Sequence, residues 1–343
     1  HNRCRRQRQM CIRDRRGGVV MNSKTYSNVK LNIEDLSISE LNDVTFDLAI
    51  FSSGYEPRCA YLYNYLSKDK IKDALIFTFT EEVNSQSDDY FLDYDSNHEK
   101  VYVSHGEVSV IYKTLLDRIE KIDINSVERK IKILIDYSSM SRNWYSAVLN
   151  FIFKTAPDKF DIFAVYSSAE YPISTRFLDF DLGEVRVIPG CNGSSITKRK
   201  KAVIFMLGFD NIGPQSFYNM IEPDISYGVI AAPGSLPTYE EIALSINKSF
   251  IEHNLEKGKK LIKLPIHSVS STFESLCQLV QPLRKEYNVT IIQFGPKPHI
   301  LASVLAGHIF ENVSCIYSEY KRNETHEINA SGELTISKIS SKL

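Results

Sequence analysis

Long apolar runs are missing from this chain of 343 residues. No stretch approaches the roughly 20 residues that a membrane-spanning helix needs, so no membrane partner is expected. Metal-binding patterns are missing too. The six cysteines, Cys4, Cys11, Cys59, Cys191, Cys277 and Cys315, include no CxxC pair and have no histidine nearby at ligand spacing. Neither a metal site nor a disulfide framework is expected, and a reducing, cytoplasmic setting is the simplest reading. A GxGxxG dinucleotide fingerprint, a GxxxxGK(S/T) phosphate loop and a GxSxG nucleophile elbow are all absent. That removes the commonest nucleotide and hydrolase chemistries, and no cofactor is expected.

Net charge is scarce as well, with a formal value of −1, but it is unevenly placed. Residues 1–20 hold seven arginines and little apolar content, and read as a non-native or disordered segment ahead of a true start at Met21. The competing reading is an arginine-rich arm for nucleic acid. Without those residues the formal charge falls to −7, which argues against binding an extended nucleic-acid duplex.

What the chain does have is a rhythm of strands, polar loops and helices. The stretch Ile131 to Phe153, IKILIDYSSMSRNWYSAVLNFIF, reads as a buried strand, a polar loop from Asp136 to Arg142, and a helix with apolar residues at 144, 147, 148, 151 and 152. Strand, loop and helix also follow one another from Phe46 to Leu66, where Pro57 suits a first helical turn. Further strands are expected at 73–80 and 160–166, and a helix at 108–122. Past Lys201 the order starts again. Lys201 to Ile221 resembles 46–66, strand 227–232 precedes helices at 239–253 and 273–287, and Val289 to Phe310 matches 131–153 in layout. Strands at 160–166 and 313–317 both run into tyrosine-flanked polar ends, each followed by a hairpin-like segment, 175–188 around Leu182-Gly183-Glu184 and 325–339 around Ser331-Gly332-Glu333. The expectation is an α/β protein of two Rossmann-like domains with mainly parallel sheets, residues 21–190 and 200–343, made by internal duplication and each ending in a β-hairpin. Any two α/β domains share part of such a rhythm; the paired endings favour duplication.

Loops at the carboxyl ends of parallel strands are where α/β proteins bind ligands, because helix N–H groups point out there. The first half offers Ser52, Ser53, Gly54, Tyr55, Glu56, Arg58, Asp136, Ser138, Ser139, Ser141 and Arg142, and the second Gly208, Asp210, Gly213, Gln215, Gly295, Lys297 and His299. Packed as a pseudo-dimer, the halves would line one cleft with these residues. Arg58, Arg142 and Lys297 sit at helix starts, where the dipole does not call for cations, so a small phosphate-bearing ligand is expected to face them. The bland alternatives are ion pairs with Glu56 or Asp136 for the arginines, solvent for Lys297, and N-capping for Ser141 or Ser139. His299, just after Pro298, is the one histidine placed for chemistry; His308, on an apolar helix, reads as a core or edge residue.

Ser52-Ser53-Gly54-Tyr55-Glu56-Pro57-Arg58 and Asp136-Tyr137-Ser138-Ser139-Met140-Ser141-Arg142, set after the first and fourth strands of a duplicated unit, resemble the loops of the CARF and SAVED ligand-sensing domains of prokaryotic defence systems. The resemblance covers Thr45 to Tyr320 in layout. It implies binding of cyclic or linear oligonucleotides across a pseudo-two-fold cleft, a role in antiviral defence, and an effector protein as partner. Two other classes stay open. One is a hydrolase or transferase acting on a nucleotide or phosphosugar, with Asp136 or Glu56 as base and the arginines stabilising developing charge. The other is a scaffold using its surface tyrosines for protein contacts.

Overall fold

The computed structural model describes residues 30–54, 56–80, 90–91, 98–104, 106–122, 128–171, 180–322 and 328–342. The segment 1–20, Tyr55 and parts of both expected hairpins, 175–179 and 325–327, lie outside them. The first half runs β1 (Lys30–Leu36), α1 (Ile38–Asn42), β2 (Leu48–Ser53), a 3-10 turn (Pro57–Ala60), α2 (Tyr61–Tyr65), β3 (Ala74–Phe79), β4 (His98–Val103), α3 (Ser109–Ile122), β5 (Ile131–Asp136), α4 (Arg142–Thr155), β6 (Phe160–Glu170) and β7 (Phe180–Asn192). The second runs β8 (Lys200–Leu207), α5 (Gly213–Ile221), β9 (Ile225–Ala231), α6 (Pro237–Ile246), α7 (Lys248–Asn254), β10 (Leu261–Leu264), α8 (Val269–Glu286), β11 (Tyr287–Gln293), α9 (Lys297–Ile309), β12 (Val313–Arg322) and β13 (Asn329–Lys342).

Two sheets result, ordered β1-β13-β6-β5-β2-β3-β4 and β10-β9-β8-β11-β12-β7. Their parallel parts, β4-β3-β2-β5-β6 and β10-β9-β8-β11-β12, have the same order and direction. The protein is thus α/β, with two Rossmann-like units of matching topology. Strands β2 and β5 are almost entirely buried, as continuous apolar runs in a parallel sheet covered on both faces must be.

The closing hairpins take a different form. Strand β7 leaves the first half and pairs antiparallel with β12, and β13 leaves the second half and pairs antiparallel with β6. The two units exchange their last strands. Residues 329–342 therefore belong in space to the first sheet, and β1 completes its edge by pairing with β13. The glycines that suggested turns serve other ends. Gly183 lies inside β7, where a Cβ would come within 2.7 Å of the Glu319 carbonyl oxygen, and Gly332, at φ +92°, sits where the β13–β6 register shifts. The expected helix 239–253 is also two, α6 and α7, parted at Asn247, whose amide donates to the carbonyls of Ala243 and Gly208.

The layers stack as helix, sheet, helix, sheet, helix. Helices α1 and α2 cover the outer face of the first sheet, and α5, α6 and α7 that of the second. Between the sheets α3, α4, α8 and α9 share one core with residues of both. Helix α4 is buried from Asn143 to Phe153 and α9 from Pro298 to Gly307, on all sides, as helices enclosed within a core must be.

Candidate functional site

The carboxyl ends of the two sheets differ in polarity. With Gly54 matched to Gly208, Ser52 and Ser53 correspond to Met206 and Leu207, and the strand registers then match Asp136 to Ile292. At these three positions the first sheet is polar where the second is apolar, while Ser167 has a polar counterpart in Ser318 and the second edge buries Gln293. Burying polar groups is costly, so Ser52, Ser53 and Asp136 mark the first sheet's edge as a place where polar side chains have a use beyond packing.

Strand alternation sorts these groups by face. Leu134 joins the core under α2, so Asp136 points the same way, as do Ser53 after Phe51, Thr78 after Ile76 and Ser167 after Val165. Asp136 is 2% exposed. Its Oδ1 accepts the Ser138 N–H at 3.0 Å and the Ser138 hydroxyl, and the Ser138 hydroxyl accepts the Ser167 N–H at 2.7 Å. Among the described residues its Oδ2 has no partner, nor do the hydroxyls of Thr78 and Ser167. Burial raises the Asp136 carboxyl to about 6; the Ser138 hydrogen bonds and the charges of Arg58 and Lys297 pull the other way without prevailing.

Arg58 is the second residue of the short 3-10 turn that precedes α2 and is 4% exposed. Its Nε pairs with Glu56 Oε2 at 2.6 Å, and its Nη1 donates to the Tyr166 hydroxyl at 3.2 Å and the Ser167 carbonyl at 3.0 Å. Burial works against its charge, but Tyr166 and Glu56 outweigh burial and hold it protonated. The ion pair leaves room beside it: a hollow of about 450 Å³ lined by Pro57, Arg58, Tyr61, Asn64, Tyr65, Asn329 and Ala330. The stacked rings of Tyr61 and Tyr65 offer a planar wall.

The other predicted residues divide into a seam and a set of local braces. At the seam the loops of the two halves do meet. Arg142, the first residue of α4, donates to the Gln293 carbonyl at 2.6 Å, and Lys297, the first residue of α9, donates to the carbonyls of Tyr137, Ser138 and Met140 at 3.2, 2.6 and 2.9 Å. Equivalent cations at equivalent helix starts thus each hold the other half's backbone, which is why neither follows the dipole rule. Ser141 is the N-cap of α4, accepting the Trp144 N–H at 3.2 Å. Ser52 and Ser139 have buried hydroxyls with no partner among the described residues. In the second half Asp210 takes the N–H groups of Ile212 and Gly213 at 2.8 Å each, and Gly208 and Gly295 let adjoining loops approach. Gln215 bonds Asn219 and Asn254. His299 is buried, its Nε2 beside the Pro265 carbonyl, and burial lowers it to about 4. These five residues brace the second sheet's own loops.

Comparison with known proteins adds little here. No protein-family model matches the chain, and no curated protein matches it. Among solved structures, the cytoplasmic domain of a prokaryotic cation chloride cotransporter is similar over 80% of this chain and 95% of that one, at 11% identity and a TM-score of 0.23, too slight a likeness to carry an argument. Among the described residues no helix is long and apolar enough to cross a membrane, and no three His, Cys, Asp or Glu side chains gather as a metal site.

Sequence reading passed over Thr78, Tyr166, Ser167, Tyr61 and Asn64. The available signal was the polar tail of β6, Ser167-Ser168, which continues an otherwise apolar strand. Chemically the group offers a buried acceptor that can also hold a proton, a fixed guanidinium, unpaired hydroxyls and an aromatic wall.

Proposed function

We propose that this protein is a sensor that binds a small phosphate-bearing ligand of the nucleotide class at the carboxyl edge of its first sheet and signals the bound state to an effector protein, with prokaryotic antiviral defence as the setting. The observation that supports it is the Asp136 group: a buried carboxyl with one oxygen unpartnered, next to the held Arg58, at a position whose counterpart in the second sheet is Ile292. Arg58, which lines the hollow, would favour the ligand's negative charge and Tyr61 would take a base against its ring, while Asp136, buried beyond the lining, would act on the ligand through the Arg58 guanidinium. The seam suits signalling, since Lys297 grips the backbone of the loop that carries Ser138.

A second reading is favoured by one observation. A carboxyl at about 6 is suited to general acid or base work near neutral pH, so a hydrolase or transferase acting on a nucleotide or phosphosugar would use Asp136 for proton transfer. Calorimetric titration and thermal shift of the full chain with mononucleotides, cyclic and linear oligonucleotides and phosphosugars separate the two. The sensor shows a saturable rise in melting temperature without turnover, and Asp136→Asn weakens it by about tenfold or more; the enzyme consumes the compound, and Asp136→Asn binds but does not turn over. No shift with any of these probes ends both readings.

A further inference from the structure

The two sheets differ at one edge. In the first, β13 pairs with β6 on one side and with β1 on the other; in the second, β7, which takes the place of β13, pairs with β12 on one side and, among the described residues, with no strand on the other. Val165 and Ile316 match in the strand registers, as Ser167 and Ser318 do, so Ile336, opposite Val165, has its counterpart in Val187, opposite Ile316. Ile336 stands opposite Leu36 of β1 and is 3% exposed, whereas Val187 is 48% exposed and Val185, two residues before it on the same face, 44%. One copy of the repeated layout has its edge sealed by an added antiparallel strand. The other presents an open row of backbone groups, a ready template for a further strand.

The sequence of β7 narrows what can pair there. Pro189 has no N–H to donate, and the β7–β12 register shifts opposite the stretch from Leu182 to Val185. Both features blunt a sheet edge. Between them lie Glu184, Val185, Arg186 and Val187. Arg186 bonds Glu184 at 2.9 Å and Glu319 at 2.6 Å, so the charged residues share one face and the valines the other. A foreign strand would have to match these charges; a second copy of β7 does so by itself. Run antiparallel about Val185, it sets Glu184 opposite the partner's Arg186 and Arg186 opposite the partner's Glu184, with valine on valine between them. A pairing slipped to centre on Arg186 would put that residue against its own copy, and like charges directly opposite are disfavoured. Glu-Val-Arg is thus its own complement and sets the register.

We propose that this protein forms a two-fold dimer through β7, whose open edge adds antiparallel to β7 of a second copy and joins the two six-stranded sheets into one. Nothing in this depends on the Asp136 group or its ligand. One strand pair is small against the roughly 1,200 to 2,000 Å² of a standard interface, so a dissociation constant of about 1 to 100 μM is expected.

Sedimentation velocity of the full chain from about 1 to 500 μM tests it. The wild type is expected to pass from monomer to dimer across that range. Val185→Lys sets two like charges on the two-fold axis and Glu184→Lys sets lysine against arginine, so each should weaken dimerisation at least about tenfold. Both side chains are exposed, so neither change threatens the fold. Arg186→Glu should weaken it likewise. Mixed in equal amounts, Glu184→Lys and Arg186→Glu offer each other opposite charges and should recover the dimer, a result that misfolding of either variant cannot imitate. A wild type that stays monomeric to about 500 μM, a dimer indifferent to Val185→Lys, or a mixture that recovers nothing overturns the proposal.

Discussion

Burial lifts the Asp136 carboxyl from 3.8 to about 6, so the folded chain holds that proton more tightly than the unfolded chain does. The stability this gives is fully present below pH 3.8 and is lost as pH rises through 6. At neutral pH the ionised group opposes folding by up to about 3 kcal/mol. Asp136→Asn, which keeps an acceptor for Ser138, is therefore expected to stabilise the chain at pH 7 and to do so less at pH 4. Urea denaturation of both proteins at pH 4.5, 6 and 7.5 measures it, and a loss of stability in the variant at pH 7 would show Asp136 to be structural. His299 and His308 act in the opposite sense: lowered to about 4 and about 3, they favour folding above pH 6.5 and that contribution fades as pH falls. Comparing variant with wild type at each pH cancels them. At this scale the sequence made Asp136, Ser138 and Arg58 legible as polar residues in the right loops. It did not tell Arg58, fixed by Glu56 and the Ser167 carbonyl, from Arg142, which bonds Gln293, because both stand at the same kind of helix start.

Elements are held together by the loop from Asp136 to Arg142 and by the start of α9. Lys297→Met removes three charge-assisted hydrogen bonds while keeping the stem, and is expected to cost about 2 to 4 kcal/mol in chemical denaturation. Ser141→Ala removes the cap of α4 and should cost about 1 kcal/mol. An equal, small effect from both would mean that the seam contributes little. These elements were readable from apolar spacing where a run was long: β2, β5, β6, α3 and α4 stand where the pattern puts them, within a few residues. Strands β1 and β10 were not, since β1 is a sheet-edge strand exposed in part and β10 has only four residues. Their pairing with β13 and β9 decides them.

Across the whole molecule, the exchanged strands and the core shared by α4 and α9 bind the two units into one cooperative body. Calorimetry should show a single unfolding transition whose van't Hoff and calorimetric enthalpies agree, despite two Rossmann-like units; two resolved transitions would refute it. Removing residues 329–343 takes away the strand between β1 and β6, so it should destabilise the first unit, which lies far away in sequence, more than the second.

The sequence by itself determined that the chain is α/β, that its halves repeat one layout, and which loops carry polar chemistry, because periodicity and turn composition are local properties. Only the tertiary structure decided which half each final strand joins. It alone showed that Arg142 and Lys297 tie the halves together, and that Asp136, Arg58 and Ser167 form one buried group. Those outcomes depend on which surfaces meet, and a one-dimensional pattern of apolar and polar residues is the same whichever neighbour a strand finds.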